Sequence, residues 1–174
     1  MTRVLVVLAV LAGTARADDV DPGMLGFRFA GGTLPVDGAR VANESLAIGV
    51  EHELACGLRG FGEYEWMWLA HDETALGDGS RIQLGLRHVI AQKRLSMVRL
   101  FVDGEVGGGA ALVTDVGTVH LLPDAFVGAR FGYDLLPHTA RSPSRTFEPE
   151  LSVRVLALPG GAAWMVGVGA FWGG

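Results

Sequence analysis

Residues 125–135 read Ala-Phe-Val-Gly-Ala-Arg-Phe-Gly-Tyr-Asp-Leu, and every second position is apolar. Ala125, Val127, Ala129, Phe131 and Tyr133 share one face; Gly128, Arg130, Gly132 and Asp134 share the other. A period of two is the signature of a strand with two unlike faces. The same alternation recurs along the chain. Leu25–Gly31 sets Leu25, Phe27 and Phe29 against Gly26, Arg28 and Ala30. Ser45–Ala55 sets Leu46, Ile48, Val50 and Leu54 against Glu51 and Glu53, and Leu58–Leu69 sets Leu58, Tyr64, Trp66 and Trp68 against Arg59, Glu63 and Glu65. Arg81–Ile90 places Ile82, Leu84, Leu86 and Ile90 opposite Arg81 and Arg87; Met97–Val113 places Val98, Leu100, Val102, Val106 and Leu112 opposite Arg99, Asp103 and Glu105. Thr146–Leu158 opposes Phe147, Leu151, Val153 and Val155 to Glu148, Glu150, Ser152 and Arg154, and Trp164–Trp172 alternates Trp164, Val166, Val168, Ala170 and Trp172 with glycine. Eight such strands can close on themselves antiparallel and so remove the exposed edges.

Composition narrows the class. The chain has 174 residues, enough for one domain, with 49% hydrophobic and 19% charged residues, which excludes disorder. A formal net charge of −5 without a basic stripe argues against nucleic-acid partners, and the single Cys56 excludes a disulfide scaffold. There are 26 glycines, and Lys93 is the only lysine beside 13 arginines.

At the start, Met1-Thr2-Arg3, the apolar run Val4–Ala12 and Ala15-Arg16-Ala17 are the three parts of a signal peptide. The expected organisation is a cleaved signal at 1–17, giving export across the inner membrane, and a barrel at 18–174. The apolar run is too short for a membrane helix, and no later stretch approaches that length. The mature chain is then either soluble beyond the inner membrane or a membrane-spanning β-barrel.

Period two alone does not say which face is outside. A soluble lipocalin-like ligand-binding barrel turns its apolar face inward; a membrane barrel does the reverse. Several features favour apolar-out. The charged face balances Arg28, Arg59, Arg81, Arg87, Arg99, Arg130 and Arg154 against Glu51, Glu53, Glu63, Glu65, Asp103, Glu105, Asp134, Glu148 and Glu150. Arginine, whose planar fork suits desolvated carboxylates, replaces the lysine expected of a wet surface. Threaded from a periplasmic N-terminus, Trp66, Trp68 and Trp164 gather at the outer rim and Phe131, Tyr133, Phe147 and Trp172 at the inner rim, two girdles at two interfaces. Each arginine facing lipid near the midplane would cost about 2–4 kcal/mol. Seven of them would exceed an ordinary stability of about 5–15 kcal/mol.

The ending, alternately apolar and closing on Trp172 two residues before the terminus, is similar to the C-terminal strand of outer-membrane barrels. With this pattern the chain resembles the small eight-stranded outer-membrane barrels of the OmpA and OmpX type. The resemblance implies an all-β, antiparallel up-and-down transmembrane barrel in a Gram-negative outer membrane, a monomer in contact with outer-membrane lipid and lipopolysaccharide, and insertion by the barrel-assembly machinery. Long links at Gly32–Glu44, Ala70–Ser80 and Thr114–Asp124 are expected as outer loops, with a short one at Pro159–Gly161 and tight inner turns at Cys56–Gly57 and Ala91–Ser96. The inner link Leu136–Arg145 is longer than the pattern prefers.

So many charges inside a narrow barrel are costly unless paired. The near balance of seven against nine suggests a salt-bridge network that plugs the lumen; the alternative is a narrow path for ions or small solutes. Catalytic signals are weak. Outer-membrane lipid A deacylases of this size carry a His with Ser two residues on, and His52, His71, His88, His120 and His138 all lack it. His52 and His88 read as interfacial residues. Asp72, Glu73 and Asp78 lack an EF-hand spacing, and Gly107-Gly108-Gly109 precedes no helix, so neither a metal, a cofactor nor an enzyme is expected. The expected role is structural, adhesive or in envelope integrity.

Overall fold

The computed structural model of the chain describes residues 23–36, 38–55, 57–71, 74–95, 98–115, 118–135 and 146–173. The expected signal peptide and the whole of the 136–145 link lie outside them. Eight strands follow in order: β1 (Met24–Val36), β2 (Ala39–Ala55), β3 (Leu58–His71), β4 (Thr74–Leu95), β5 (Val98–Asp115), β6 (Thr118–Leu135), β7 (Thr146–Leu158) and β8 (Gly161–Gly173). Each pairs antiparallel with the next, and β8 closes on β1. The chain is a closed, eight-stranded antiparallel up-and-down β-barrel.

The register sets the barrel's shape. Met24 pairs with Glu51, and the line continues through Phe61, Gly85, Gly107, Phe126 and Leu156 to Ala163. It returns to β1 at Leu34, one residue past the Thr33↔Trp164 pair, a displacement of ten residues. A stagger of that size tilts the strands roughly 40° and leaves an interior that side chains can fill.

The strands run further than the alternation alone marks out. The stretches expected as long outer loops are hairpins instead: β1 and β2 pair up to Val36↔Ala39, β3 and β4 up to His71↔Thr74, and β5 and β6 up to Asp115↔Thr118. All four outer connections, at 37–38, 72–73, 116–117 and 159–160, have two residues. Glycine, proline and aspartate in those stretches read locally as turn, but a pairing partner on the neighbouring strand outweighs a weak local preference. Real turns are marked by left-handed glycine, with φ of 81° at Gly38 and 98° at Gly160.

Among the stretches with a partner on one side only, the two longest lie on β4 and β6. The β3 side ends at the Leu58↔His88 pair and the Val89 N–H bond to the Gly57 carbonyl, so Ile90–Leu95 of β4 has only β5 beside it. Lys93, the single lysine, stands there with Arg94, where charge blunts edge-to-edge pairing. β7 ends at Leu158, so Thr118–Asp124 of β6 also has one partner, and Pro123, which has no N–H to donate, sits in that stretch.

Candidate functional site: a charged lumen and its apolar cap

The faces are inverted relative to a soluble barrel. Phe29, Leu84, Val106, Val127 and Val168 are more than half exposed on the outside, while Arg81, Arg87, Arg130 and Arg154 are at most 2% exposed inside. Trp66, Trp68 and Trp164 stand outward near the outer end, and Phe131, Tyr133, Phe147 and Trp172 outward near the inner end. Trp164 and Trp172 lie eight residues apart on β8. At 3.3 Å per residue and this tilt, that is roughly 20 Å along the axis, close to the height of an outer-membrane apolar band.

Inside, ion pairs run from the inner mouth upward. Arg99, a third exposed, pairs with Asp134 at 2.8 Å. Arg59 reaches Glu51 and Glu148, each at 3.0 Å. Arg130, fully buried, holds Asp103 at 2.5 Å and Glu150 at 2.9 Å. Arg87 bonds Glu51, Glu63 at 3.1 Å and Glu105 at 3.1 Å. Arg154, from the far wall, meets Glu63 and Glu105 at 2.5 Å each, and Arg28 meets Glu63 at 2.8 Å. Higher still, Arg81 pairs with Glu65 at 2.7 Å, and Ser45 donates to the same carboxylate. Glu53 stands apart: beside a bulge in β2, it accepts the Gly57 backbone N–H at 3.3 Å and so braces the inner turn.

Seven strands contribute charge; β8 contributes Phe171, Met165 and glycine instead. Aromatic rings interleave the guanidinium groups. Arg87 lies 4.2 Å over Phe61, Arg154 4.7 Å over Phe126 and Arg130 4.8 Å over Phe101. A ring face attracts a desolvated cation, which adds to what the carboxylates supply. These rings explain many inward glycines. A Cβ at Gly26 would sit 2.5 Å from Phe171, at Gly85 2.6 Å from Phe61, and at Gly132 2.5 Å from Phe101. The rings lie flat against bare backbone, which only glycine permits.

Above the charges the lumen changes character. Leu34, Val36, Val41, Met67, Leu69, Val113, Leu156, Ala163 and Met165 form one buried apolar cluster with partly buried Leu122 and Leu158 packed on it. The sequence reading did not place this cap, although most of these residues share inward parity with the arginines of their strands. Gln83, which shares the charged face of its strand, and Asp124, which the sequence reads as the end of an outer link, hydrogen-bond each other at 3.2 Å just below the cap, and Gln83 accepts from Arg154 at 3.0 Å. Several buried atoms have no protein partner among the described residues: both polar atoms of Asn43, Nε and Nη1 of Arg28, and one oxygen each of Asp103, Asp134 and Glu150.

Other candidates fall away from the lumen. His88 sits at the inner end of β4 and bonds the Gly57 carbonyl through Nδ1 at 2.9 Å, bracing the turn. Asp78 belongs to β4 opposite Trp68; Asp72, Glu73 and Cys56 lie outside the described residues. Among the described residues no three His, Cys, Asp or Glu side chains group as metal ligands.

No protein-family model matches the chain, and no curated protein is significantly similar in sequence. Solved structures are similar in shape. The neisserial surface protein NspA superposes with a TM-score of 0.61 at 11% identity, covering 90% of this chain and all of NspA. The attachment invasion locus protein Ail of Yersinia pestis (TM-score 0.48, 14% identity, 87% and 98% covered) and the N-terminal β-barrel domain of Pseudomonas aeruginosa OprF (0.47, 11%, 88% and 98%) are also similar. At these identities the likeness is one of architecture: this chain has the fold of the small eight-stranded outer-membrane β-barrels.

Proposed function

We propose that the chain is an integral protein of a Gram-negative outer membrane, exported through a signal peptide at 1–17, with a lumen closed to solutes and a structural, adhesive or envelope-stabilising role rather than a catalytic one. The single observation that carries this reading is the inversion of the two faces. Charged side chains pair in the interior while leucine, valine and aromatic side chains face outward. In water that arrangement would expose a continuous apolar surface far larger than a soluble monomer tolerates; in a bilayer it matches the solvent. Closure of the lumen rests on two supports. Ion pairs span it from wall to wall, and the apolar cap lies above them. Ions passing through would have to break bonds whose loss leaves buried charges unpaired, at several kcal/mol each.

Two measurements test this. Mature protein extracted from outer membranes is run on a gel with and without boiling; a mobility shift dependent on detergent is expected, and a soluble protein without a shift overturns the membrane reading. Purified barrel is then placed in planar bilayers, where no discrete conductance is expected. Cation-selective steps would overturn closure and leave a narrow path past the orphaned oxygens of Asp103, Asp134 and Glu150.

A further inference from the structure

At the inner mouth the β4–β5 hairpin outruns the wall beside it. β3 begins at Leu58, opposite His88, and the Val89 N–H reaches the Gly57 carbonyl at 3.0 Å. β4 then runs on from Ile90 to Leu95 with β5 alone beside it, as far as the Leu95↔Val98 pair. At 3.3 Å per residue and the strand tilt, this arm stands roughly 15 Å beyond the start of β3. The register carries Tyr133 of the inner girdle to Leu100 and on to Lys93, so the end of the arm lies past the apolar band. Alternate backbone N–H and C=O groups along Ile90–Leu95 turn away from β5, and among the described residues no strand receives them.

The edge is positive and unbalanced. No Asp or Glu occurs between Ile90 and Val102, whereas Lys93, Arg94 and Arg99 do. Lys93 and Arg94 are exposed, and among the described residues neither has an ion pair or a hydrogen bond. Arg94 stands directly opposite Arg99, and like charges across a strand pair are destabilising. Asp134 answers Arg99 at 2.8 Å and leaves Arg94 without an anion. Apolar side chains flank the two cations. Ile90 is 67% exposed, more than any other large apolar side chain among the described residues, and Leu95 is exposed as well.

We infer that Ile90–Leu95 is a docking edge for an extended polypeptide segment carrying adjacent carboxylates between apolar residues, which adds to the barrel as a strand beside β4. The inference rests on the membrane reading above, which puts this hairpin in the aqueous space on the inner side. Backbone pairing supplies the affinity, and Lys93 and Arg94 select the sequence. A second copy of this chain does not fit, because its own edge would set lysine and arginine against lysine and arginine.

The test uses the folded barrel in uncharged detergent. The probe is an end-blocked, fluorescently labelled octapeptide of valine and threonine with two central glutamates. Anisotropy reads its binding, and amide hydrogen exchange reads where it binds. Saturable binding is expected, with exchange slowed at alternate amides of residues 90–95. The same peptide with two central lysines should bind about fivefold more weakly. Lys93→Glu combined with Arg94→Glu should reverse that preference, and the glutamate peptide with every backbone nitrogen methylated should not bind. No saturable binding, a preference that survives charge reversal, or undiminished binding of the methylated peptide would each overturn the inference. Protection of residues 90–95 without peptide, seen in discs of phosphatidylglycerol but not of phosphatidylcholine, would assign the edge to anionic lipid and overturn it too. The boiled and unboiled gel is run on every variant. Loss of its shift in wild type would count against the membrane reading, and an intact shift without peptide binding against this edge alone.

Discussion

The inner and outer parts of the lumen fill the same cylinder with opposite chemistry. In the inner part, arginines and carboxylates from seven strands are paired and stacked on phenylalanine rings. In the outer part, leucine, valine and methionine pack together as they would in a soluble core. The inner part holds together as a set, because most guanidinium groups satisfy two or more carboxylates, and removing one strands the others in a low dielectric. The outer part is additive: each side chain contributes its own buried area and contacts. A barrel interior can therefore be filled by either chemistry, and the two should fail differently.

The largest effect is expected from Arg130→Leu. It leaves Asp103 and Glu150 without their main partner and should destabilise the folded barrel by about 3–5 kcal/mol in detergent unfolding by urea. A loss below about half a kilocalorie would mean that these carboxylates are solvated, and the contrast between the two parts would collapse. Leu156→Ala, in the cap, should cost about 2–5 kcal/mol by leaving a cavity, and it should couple with Val41→Ala, three strands away, more weakly than Arg130→Leu couples with loss of Asp103. Strong coupling there would show the cap to be as cooperative as the charge network. The smallest effect belongs to Arg99→Ala. Its side chain is a third exposed at the inner mouth, where water can reach the buried Asp134 it leaves behind, so the loss should cost about 1–3 kcal/mol, less in high salt. A cost as large as Arg130's would move the boundary of the desolvated network out to the mouth.

Much of the fold could be read without coordinates. The alternation in 125–135 already separates Val127, Phe131 and Tyr133 from Arg130 and Asp134, and the structure has those two sets on opposite faces. The strand ends were misread. Gly32-Thr33-Leu34-Pro35-Val36 has the composition of a loop, yet it belongs to β1 because β2 lies beside it. The apolar cap went unseen for a related reason: Leu34 and Val36 fall within that misread stretch, and inward-facing Met67 and Leu69 were not assigned to the inward face. Phe61, Phe101, Phe126 and Phe171 share inward parity with charged or glycine positions on their strands, and that parity was the available signal.

The sequence by itself determined the number of strands, the side on which each residue stands, and which solvent each face requires, because period two and the cost of charge in lipid act on every strand separately. Only the tertiary structure decided which arginine meets which carboxylate and where charge gives way to the apolar cap. Sliding a strand by two residues leaves its pattern of faces unchanged while moving every partner, so the pairing of Arg154 with Glu63, 91 positions away, follows from the ten-residue stagger of the closed barrel rather than from any local feature of the chain.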